Sequence, residues 1–297
     1  MHLHYECLIC QMKSQMKRMD KIGDNDRCIS YFNEVCGILS GADRRYAVSS
    51  VFHELEELNQ RYGLPRRDYE PMKRHFNDLM LSLLPRLRER VDRAPDPLAE
   101  ALKICRAGNY IDFGAFDKVD EGHLMERIDR VRAETLGDEY GFLLKDLEKG
   151  KTLCYLVDNC GEVVLDMLVL QVIGEKFPHI RLHALVRGEP VLNDVTMEDA
   201  LYVGLDKYAI LSHNGSNLAG NQLELISPEA RKLVEESDLV IAKGMGNFET
   251  MCHCGLNIYY LFLCKCDFFA RRLGVPLMTG VMVNERRMQL QERGGRA

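Results

Sequence analysis

The chain has 297 residues, 46% of them hydrophobic and 28% charged, with a net charge of −6. That length supports a full core in one large domain or two ordinary ones, and basic residues interleaved with acids leave no electrostatic footprint for nucleic acid. No apolar run approaches the roughly 20 residues that span a bilayer, and the N-terminal MHLHYECLIC carries charge and cysteine where a signal peptide needs an apolar core, so a cytoplasmic protein without membrane contact is expected.

The first feature along the chain is Cys7-x-x-Cys10, a spacing that suits half of a tetrahedral thiolate site. From about residue 24 to residue 149 the sequence reads as helix: CISYFNEVCGIL, AVSSVFHELEELNQRYG and YEPMKRHFNDLMLSLLPRLRERV repeat apolar residues every three to four positions. Pro65, Pro71, Pro85, Pro95 and Pro97 punctuate this half, and so does GNYIDFG, which brings Asn109 and Asp112 among apolar neighbours.

The pattern changes at Gly150. KTLCYLV, IRLHALV, YAILS, DLVIAK, NIYYLFLC and VPLMTGVMV read as short strands, with helices at EVVLDMLVLQVIGEKF, TMEDALYVGL and SPEARKLVEE between them. Strands alternating with helices imply a mainly parallel sheet. The expected fold is therefore α/β: a helical domain over 1–149 packed on a Rossmann-like α/β/α three-layer domain over 150–297 that carries the site.

Ligands in such sheets bind outside the carboxyl ends of the strands, and five stretches place polar groups there. LCYLVDNCGE gives Asp158 and Asn159, LHALVRGEPVLNDVT gives Arg187 and Asp194, AILSHNGS gives Asn214 and Ser216, LVIAKGMGNFE gives Lys243 and Asn247, and YYLFLCK gives Lys265. Asp158, Asn159 and Asp194 each stand where a helix cap would serve equally well. Taken together they offer oxygen ligands for a hard divalent ion. Lys243, followed by Gly244, reads as a point charge for a phosphate beside a glycine turn whose N–H groups approach its oxygens. Gly215 and Ser216 form a further small-residue loop.

Other chemistries lack their residues. KGMGNFE has Glu249 where a dinucleotide fingerprint needs its last glycine. No histidine spacing suits a zinc hydrolase, and neither a nucleophile elbow nor a P-loop occurs. The eleven cysteines are an odd number without a leader, which argues against a disulfide framework. Cys28, Cys36, Cys105 and Cys154 read as small core residues. Packed thiols, or a cluster joining Cys7 and Cys10 to the late pairs Cys252-x-Cys254 and Cys264-x-Cys266, are both open.

In this order the motifs C-x-x-C, GNYIDFG, DNCGEVVLD, RGEPVLNDVTMEDA, NGSNLAG, KGMGNFE and CKCDFFARRLGV resemble the metal-dependent damage-control phosphatases, also called the acidic-residue methyltransferase-like domain, over nearly the whole chain. The likeness is to their cysteine-bearing prokaryotic branch. It implies a helical domain on a Rossmann-like core and a divalent metal (manganese, nickel or cobalt, sometimes magnesium) held by Asp158, Asn159 and Asp194. It also implies a small phosphorylated metabolite as substrate, bound by Lys243, Gly244, Asn247, Asn109, Asp112, Gly215 and Ser216, with Asp158 and Asp194 catalytic. A structural cysteine cluster would comprise Cys7, Cys10 and Cys266. The chain departs from the family pattern in CDFFARR, where proline commonly follows the cysteine matching Cys266, and at Met245, where a polar residue is frequent. Two rival readings are an S-adenosylmethionine-dependent carboxyl methyltransferase, for which Arg187 and Gly188 stand where an acidic residue is needed, and a non-enzymatic metal or thiol sensor.

Overall fold

The apolar spacing at the start of the chain folds as three helices, α1 (Tyr5–Met19), α2 (Asn25–Gly41) and α3 (Phe52–Arg61). In the computed structural model, which describes residues 2–115 and 118–291, these belong to a first compact unit that ends at Asp68. Helix α2 is capped by the Asp24 carboxylate, which accepts from Asp26 N, and it buries Tyr31, Val35 and Leu39, four residues apart, against Val48, Val51, Leu55 and Leu58. Its one buried hydroxyl is satisfied: Tyr31 Oη lies 2.8 Å from Gln15 Oε1 and 2.6 Å from Asn59 Oδ1. The C-x-x-C pair lies inside α1 rather than ahead of it.

The second unit starts at Tyr69. Its helices α4 (Glu70–Asp92), α5 (Pro97–Gly108), α6 (Glu121–Arg130) and α7 (Glu139–Lys149) precede β1 (Thr152–Leu156), α8 (Glu162–Lys176), β2 (Arg181–Val186), α9 (Met197–Val203), β3 (Ile210–His213) and α10 (Pro228–Glu236). The chain continues through β4 (Leu239–Lys243), α11 (Gly244–Met251), β5 (Ile258–Leu263), α12 (Asp267–Leu273) and β6 (Gly280–Asn284). Pro85 lies within α4 and does not end it. All six strands expected from the sequence form, in the order β3-β2-β1-β4-β5-β6, parallel except for β6.

Secondary structure changes near residue 150, yet the compact division comes earlier, between Asp68 and Tyr69. The reason is α8. EVVLDMLVLQVI has no polar stripe and is buried on every side, so it needs cover on the face away from the sheet. Helices α4 and α5 supply that cover, and Phe76, Met80, Leu98 and Ile104 share one apolar core with Leu153, Val163 and Leu170. Among the described residues no helix is long and apolar enough to cross a membrane.

Strand order reverses between β1 and β4, which carry the chain to opposite sides of the sheet. Sheets of this kind bind ligands at the carboxyl ends of such a strand pair, and the residues after β1, β2, β4 and β5 meet there.

Candidate active site

The turn after β1 begins the site. Asp158 and Asn159 cap nothing: the N-cap of α8 is Gly161, at φ +81° and without a side-chain cap, and its N–H donates to Asn77 Oδ1 at 2.6 Å. A Cβ on Gly161 would meet Phe76 Cβ at 2.8 Å, so both backbone angle and space require glycine there. Asp194 is no cap either, because α9 starts with a capping box between Thr196 and Asp199. The chain around Asp194 is pinned to the β1 turn instead. Val195 N donates to Asp158 O (2.9 Å), Cys160 N donates to Asn193 O (2.9 Å), and Asn159 and Asp194 form an isolated bridge. Backbone pairing thus brings the three expected oxygen ligands together.

Arg187, at the end of β2, lies between the two carboxylates. Its Nε is 2.6 Å from Asp194 Oδ2, its Nη2 is 3.4 Å from Asp158 Oδ1, and its Nη1 donates to Asn247 Oδ1 at 3.3 Å. Burial, with Asp194 and Glu162 nearby, pushes the Asp158 carboxyl well up; burial pushes Asp194 up to about 6 against the pull of Arg187.

Beneath them is a layer that sequence reading left without a role. Glu162 and Asp166 stand four residues apart on α8, fully buried, and Lys243 reaches both: Nζ is 2.6 Å from Glu162 Oε1 and 3.0 Å from Asp166 Oδ1. Asp166 Oδ1 also accepts from Tyr155 Oη (2.7 Å) and Cys105 Sγ (2.8 Å). Burial alone would lower the Lys243 ammonium, but Asp166, Cys105 and Glu162 hold it well above its ordinary range. Lys243 was expected on a phosphate. It points into the sheet–helix layer instead, because two acids on an otherwise apolar helix need a cation there. The signal was in the sequence as E-x-x-x-D within EVVLDM.

Asn109 and Asn247, both expected at substrate, are fully buried and engaged within the protein. Asn109 Nδ2 donates to Glu162 Oε2 (2.9 Å), Glu162 Oε1 (3.1 Å) and Asp158 Oδ2 (3.2 Å), while its Oδ1 accepts from Leu263 N (3.0 Å). Asn247 Nδ2 donates to Lys243 O at 2.7 Å and its Oδ1 accepts from Asn221 Nδ2 at 2.7 Å. Each joins two elements, which a substrate-facing amide would be less able to do. Asp112, also expected at substrate, is engaged within the protein too: Oδ1 accepts from Gly114 N (2.8 Å) and Ala115 N (3.0 Å), and Oδ2 pairs with Lys265 Nζ at 2.5 Å.

Lys265, just beyond β5, was expected among the strand-end polar groups without a role of its own. Its Nζ also donates to Asn109 O at 2.7 Å, and its backbone N–H donates to Met245 Sδ at 3.1 Å, which sets it beside the first turn of α11. The glycine-rich KGMGNFE is that helix rather than a loop. Lys243 is its extended N-cap and gives the first N–H groups no side-chain partner, so the positive end of α11 favours negative charge, and the Asp158 carboxylate lies against it. Gly244, at φ +77°, leaves no room for a Cβ, which would overlap the Asp158 carboxylate. Across the crevice, Gly188 N and Glu189 N donate to Ser216 O at 3.1 and 3.2 Å, and Gly215 has φ +70°. Ser216 Oγ is buried without a hydrogen-bond partner.

Whether a divalent ion fits can be judged from charge. Asp158, Glu162, Asp166 and Asp194 are four buried carboxylates against two buried cations, Arg187 and Lys243. Ionised together, they would carry an excess of two negative charges, and the raised Asp158 and Asp194 carboxyls reflect the cost of that charge, which a divalent cation would balance. Asp194 and Asn159 both have oxygens not engaged by the cations, and hard oxygens suit such an ion. The donor set fits. Among the described residues no group of three or more His, Cys, Asp or Glu is placed to hold a metal ion; the expected set has two carboxylates and an amide. Cys7 and Cys10 lie on α1 in the first unit, Cys266 is the N-cap of α12 in the second, and no disulfide forms among the described residues.

The chain is similar to known proteins over most of its length. The family model for the damage-control phosphatase ARMT1-like domain matches residues 3–281. An uncharacterized protein of Methanocaldococcus jannaschii, MJ0202, is 31% identical over 94% of each chain. A protein of Archaeoglobus fulgidus named damage-control phosphatase is 35% identical over 70% of this chain and 72% of its own. The crystal structure of a DUF89-family protein from Pyrococcus horikoshii superposes with a TM-score of 0.78 at 24% identity, covering 96% of this chain and 99% of that one, and so shares the fold.

Proposed function

The chain belongs to the damage-control phosphatase ARMT1-like family, and on that premise we propose that it is a metal-dependent phosphatase acting on small phosphate monoesters such as sugar phosphates or damaged phosphometabolites. The observation that carries this reading is the cluster of four buried carboxylates with only two buried cations beside the uncapped N-terminus of α11. One feature suits a divalent cation and the other the phosphate that would meet it.

Asp158, Asn159 and Asp194 would hold the ion. When bound, it would supply Lewis-acid polarisation of a phosphoryl oxygen and balance the buried charge. The chain's own groups do the rest. The first N–H groups of α11, with Gly244 letting backbone approach Asp158, would bind phosphoryl oxygens. Lys265 would take the role of phosphate cation that the sequence suggested for Lys243, because it adjoins that turn; both side chains are buried, but Lys243 is held by two carboxylates, Glu162 and Asp166, and Lys265 by one, Asp112. Arg187 holds Asp158 and Asp194 apart and in place. Water then attacks phosphorus in line, one of these two carboxylates takes its proton, and the phosphorus–oxygen bond to the leaving alcohol breaks. Serving as nucleophile would require Asp158 to turn from Asn109, Asn159 and Arg187, so direct covalent attack is the weaker variant.

The test is a panel of phosphate monoesters offered to purified protein with Mn²⁺, Ni²⁺, Co²⁺ or Mg²⁺. Turnover with at least one ion, abolished by chelation and restored by the ion, supports the reading. Methyl transfer without any hydrolysis would replace it by the methyltransferase, and thiol-dependent partner binding without turnover by the sensor.

A further inference from the structure

Asn159 is an unsymmetrical ligand: only its carbonyl oxygen can face a cation, and the amide must be held the right way round. Its Nδ2 donates to Asp158 Oδ2 at 2.7 Å and to Glu162 Oε2 at 3.0 Å. The nitrogen is thus the end that meets both carboxylates, two acceptors on one side of the amide, and Oδ1 faces the other way. Asp158 would itself be drawn toward a bound ion, whereas Glu162 is anchored behind it. Its side chain is fully buried, its Oε1 accepts from Lys243 Nζ at 2.6 Å, and both of its oxygens accept from Asn109 Nδ2.

We propose that Glu162 is a positioning residue that fixes the orientation of the Asn159 amide, and that the buried Lys243 serves this purpose by holding the Glu162 side chain in place. The inference rests on the metal-dependent reading above. Outer partners of this kind set ligand direction and basicity, and losing one commonly weakens metal binding by ten- to a hundredfold. Asp166 provides the internal control. It carries the same charge, is equally buried and shares Lys243, but its contacts are Tyr155 and Cys105 rather than Asn159. A loss due to charge alone should be matched by neutralising Asp166, and one due to amide orientation should not.

The experiment is isothermal titration of Mn²⁺ into the parent, Glu162→Gln, Asp166→Asn, Asn159→Asp and the double variant Glu162→Gln/Asn159→Asp. Glu162→Gln is expected to weaken Mn²⁺ binding at least about tenfold, and more than Asp166→Asn does. An aspartate at 159 presents oxygen in either orientation, so adding Glu162→Gln to Asn159→Asp should cost no more than about twofold. Should Glu162→Gln fail to fold, Glu162→Gln/Lys243→Met removes both buried charges together and is read against Asp166→Asn/Lys243→Met. Equal losses with and without the Asn159 amide, or equal losses for the Glu162 and Asp166 variants, overturn the inference while leaving the metal reading intact. A parent protein that binds no divalent ion overturns both.

Discussion

Lys243 Nζ lies 2.6 Å from Glu162 Oε1, and neither side chain is exposed to solvent. This pair bridges the end of β4 and the first turn of α8, so it ties the turn carrying Asp158 and Asn159 to the strand that leads into α11. Removing its cation would leave Glu162 and Asp166 buried and uncompensated. Lys243→Met should therefore destabilise the fold by about 3–5 kcal/mol, visible as a lower denaturant midpoint in metal-free protein. An unchanged midpoint with a fall only in kcat/KM would return the lysine to the phosphate.

The opposite outcome is expected at Lys265. Lys265→Met deletes the ammonium beside the first turn of α11 but leaves the Asp158–Asp194 pair untouched. The value of kcat/KM for phosphate esters should fall at least about 100-fold, roughly 2.7 kcal/mol of transition-state stabilisation, while Mn²⁺ affinity stays within a few-fold of the parent. Parent-like kinetics would remove Lys265 from the site.

These two lysines show how far the sequence reaches. Period and strand punctuation sufficed for all six strands and for α8, α9 and α10, because those signals are local. The ligand turns were legible too, since Asp158, Asn159 and Asp194 each follow an apolar strand. That Lys243 turns toward α8 was not legible. Lys243 precedes a glycine pair and Lys265 does not, but direction is set by what each strand packs against, and that is α8 with Glu162 and Asp166 in the case of Lys243. Helix α11 was hidden for a related reason: Gly244 and Gly246 have low helix propensity, yet the tight approach of Gly244 to Asp158 requires the missing side chain. The compact division at Asp68 was obscured because α4 and α5 are helical like the first unit but share their core with the sheet.

Away from the site, Asp238 clamps the start of β1. Its Oδ2 accepts from Lys151 N (2.8 Å), Thr152 N (2.9 Å) and Thr152 Oγ1 (3.0 Å). The Lys151 backbone bond, followed by those from Thr152, holds its carboxyl below the usual range. A depressed folded-state value means that the contribution is complete above the unfolded value, about 3.9, and is lost as pH falls through the folded one. Asp238→Asn should be less stable than the parent at pH 7, and the gap in urea midpoint should narrow steadily below pH 4. A gap that holds constant to pH 3 would show that the amide serves as well as the ion.

The last prediction joins stability to the metal. Without an ion, Arg187 is the only cation between Asp158 and Asp194 among the described residues, and the excess carboxylate charge beneath them opposes folding. An ion that binds the folded chain alone stabilises it by about 2.7 kcal/mol at a hundred times its Kd, so Mn²⁺ should raise Tm in a concentration-dependent way. Asp194→Asn removes one ligand charge but keeps an oxygen for Arg187. This variant should be at least as stable as the parent without metal, because it relieves a buried like-charge neighbour of Asp158, yet it should gain little from Mn²⁺ and hydrolyse no phosphate ester. The opposing signs are what make the test sharp. A purely structural Asp194 would lose stability in both conditions, and undiminished Mn²⁺ stabilisation in the variant would place the ion elsewhere.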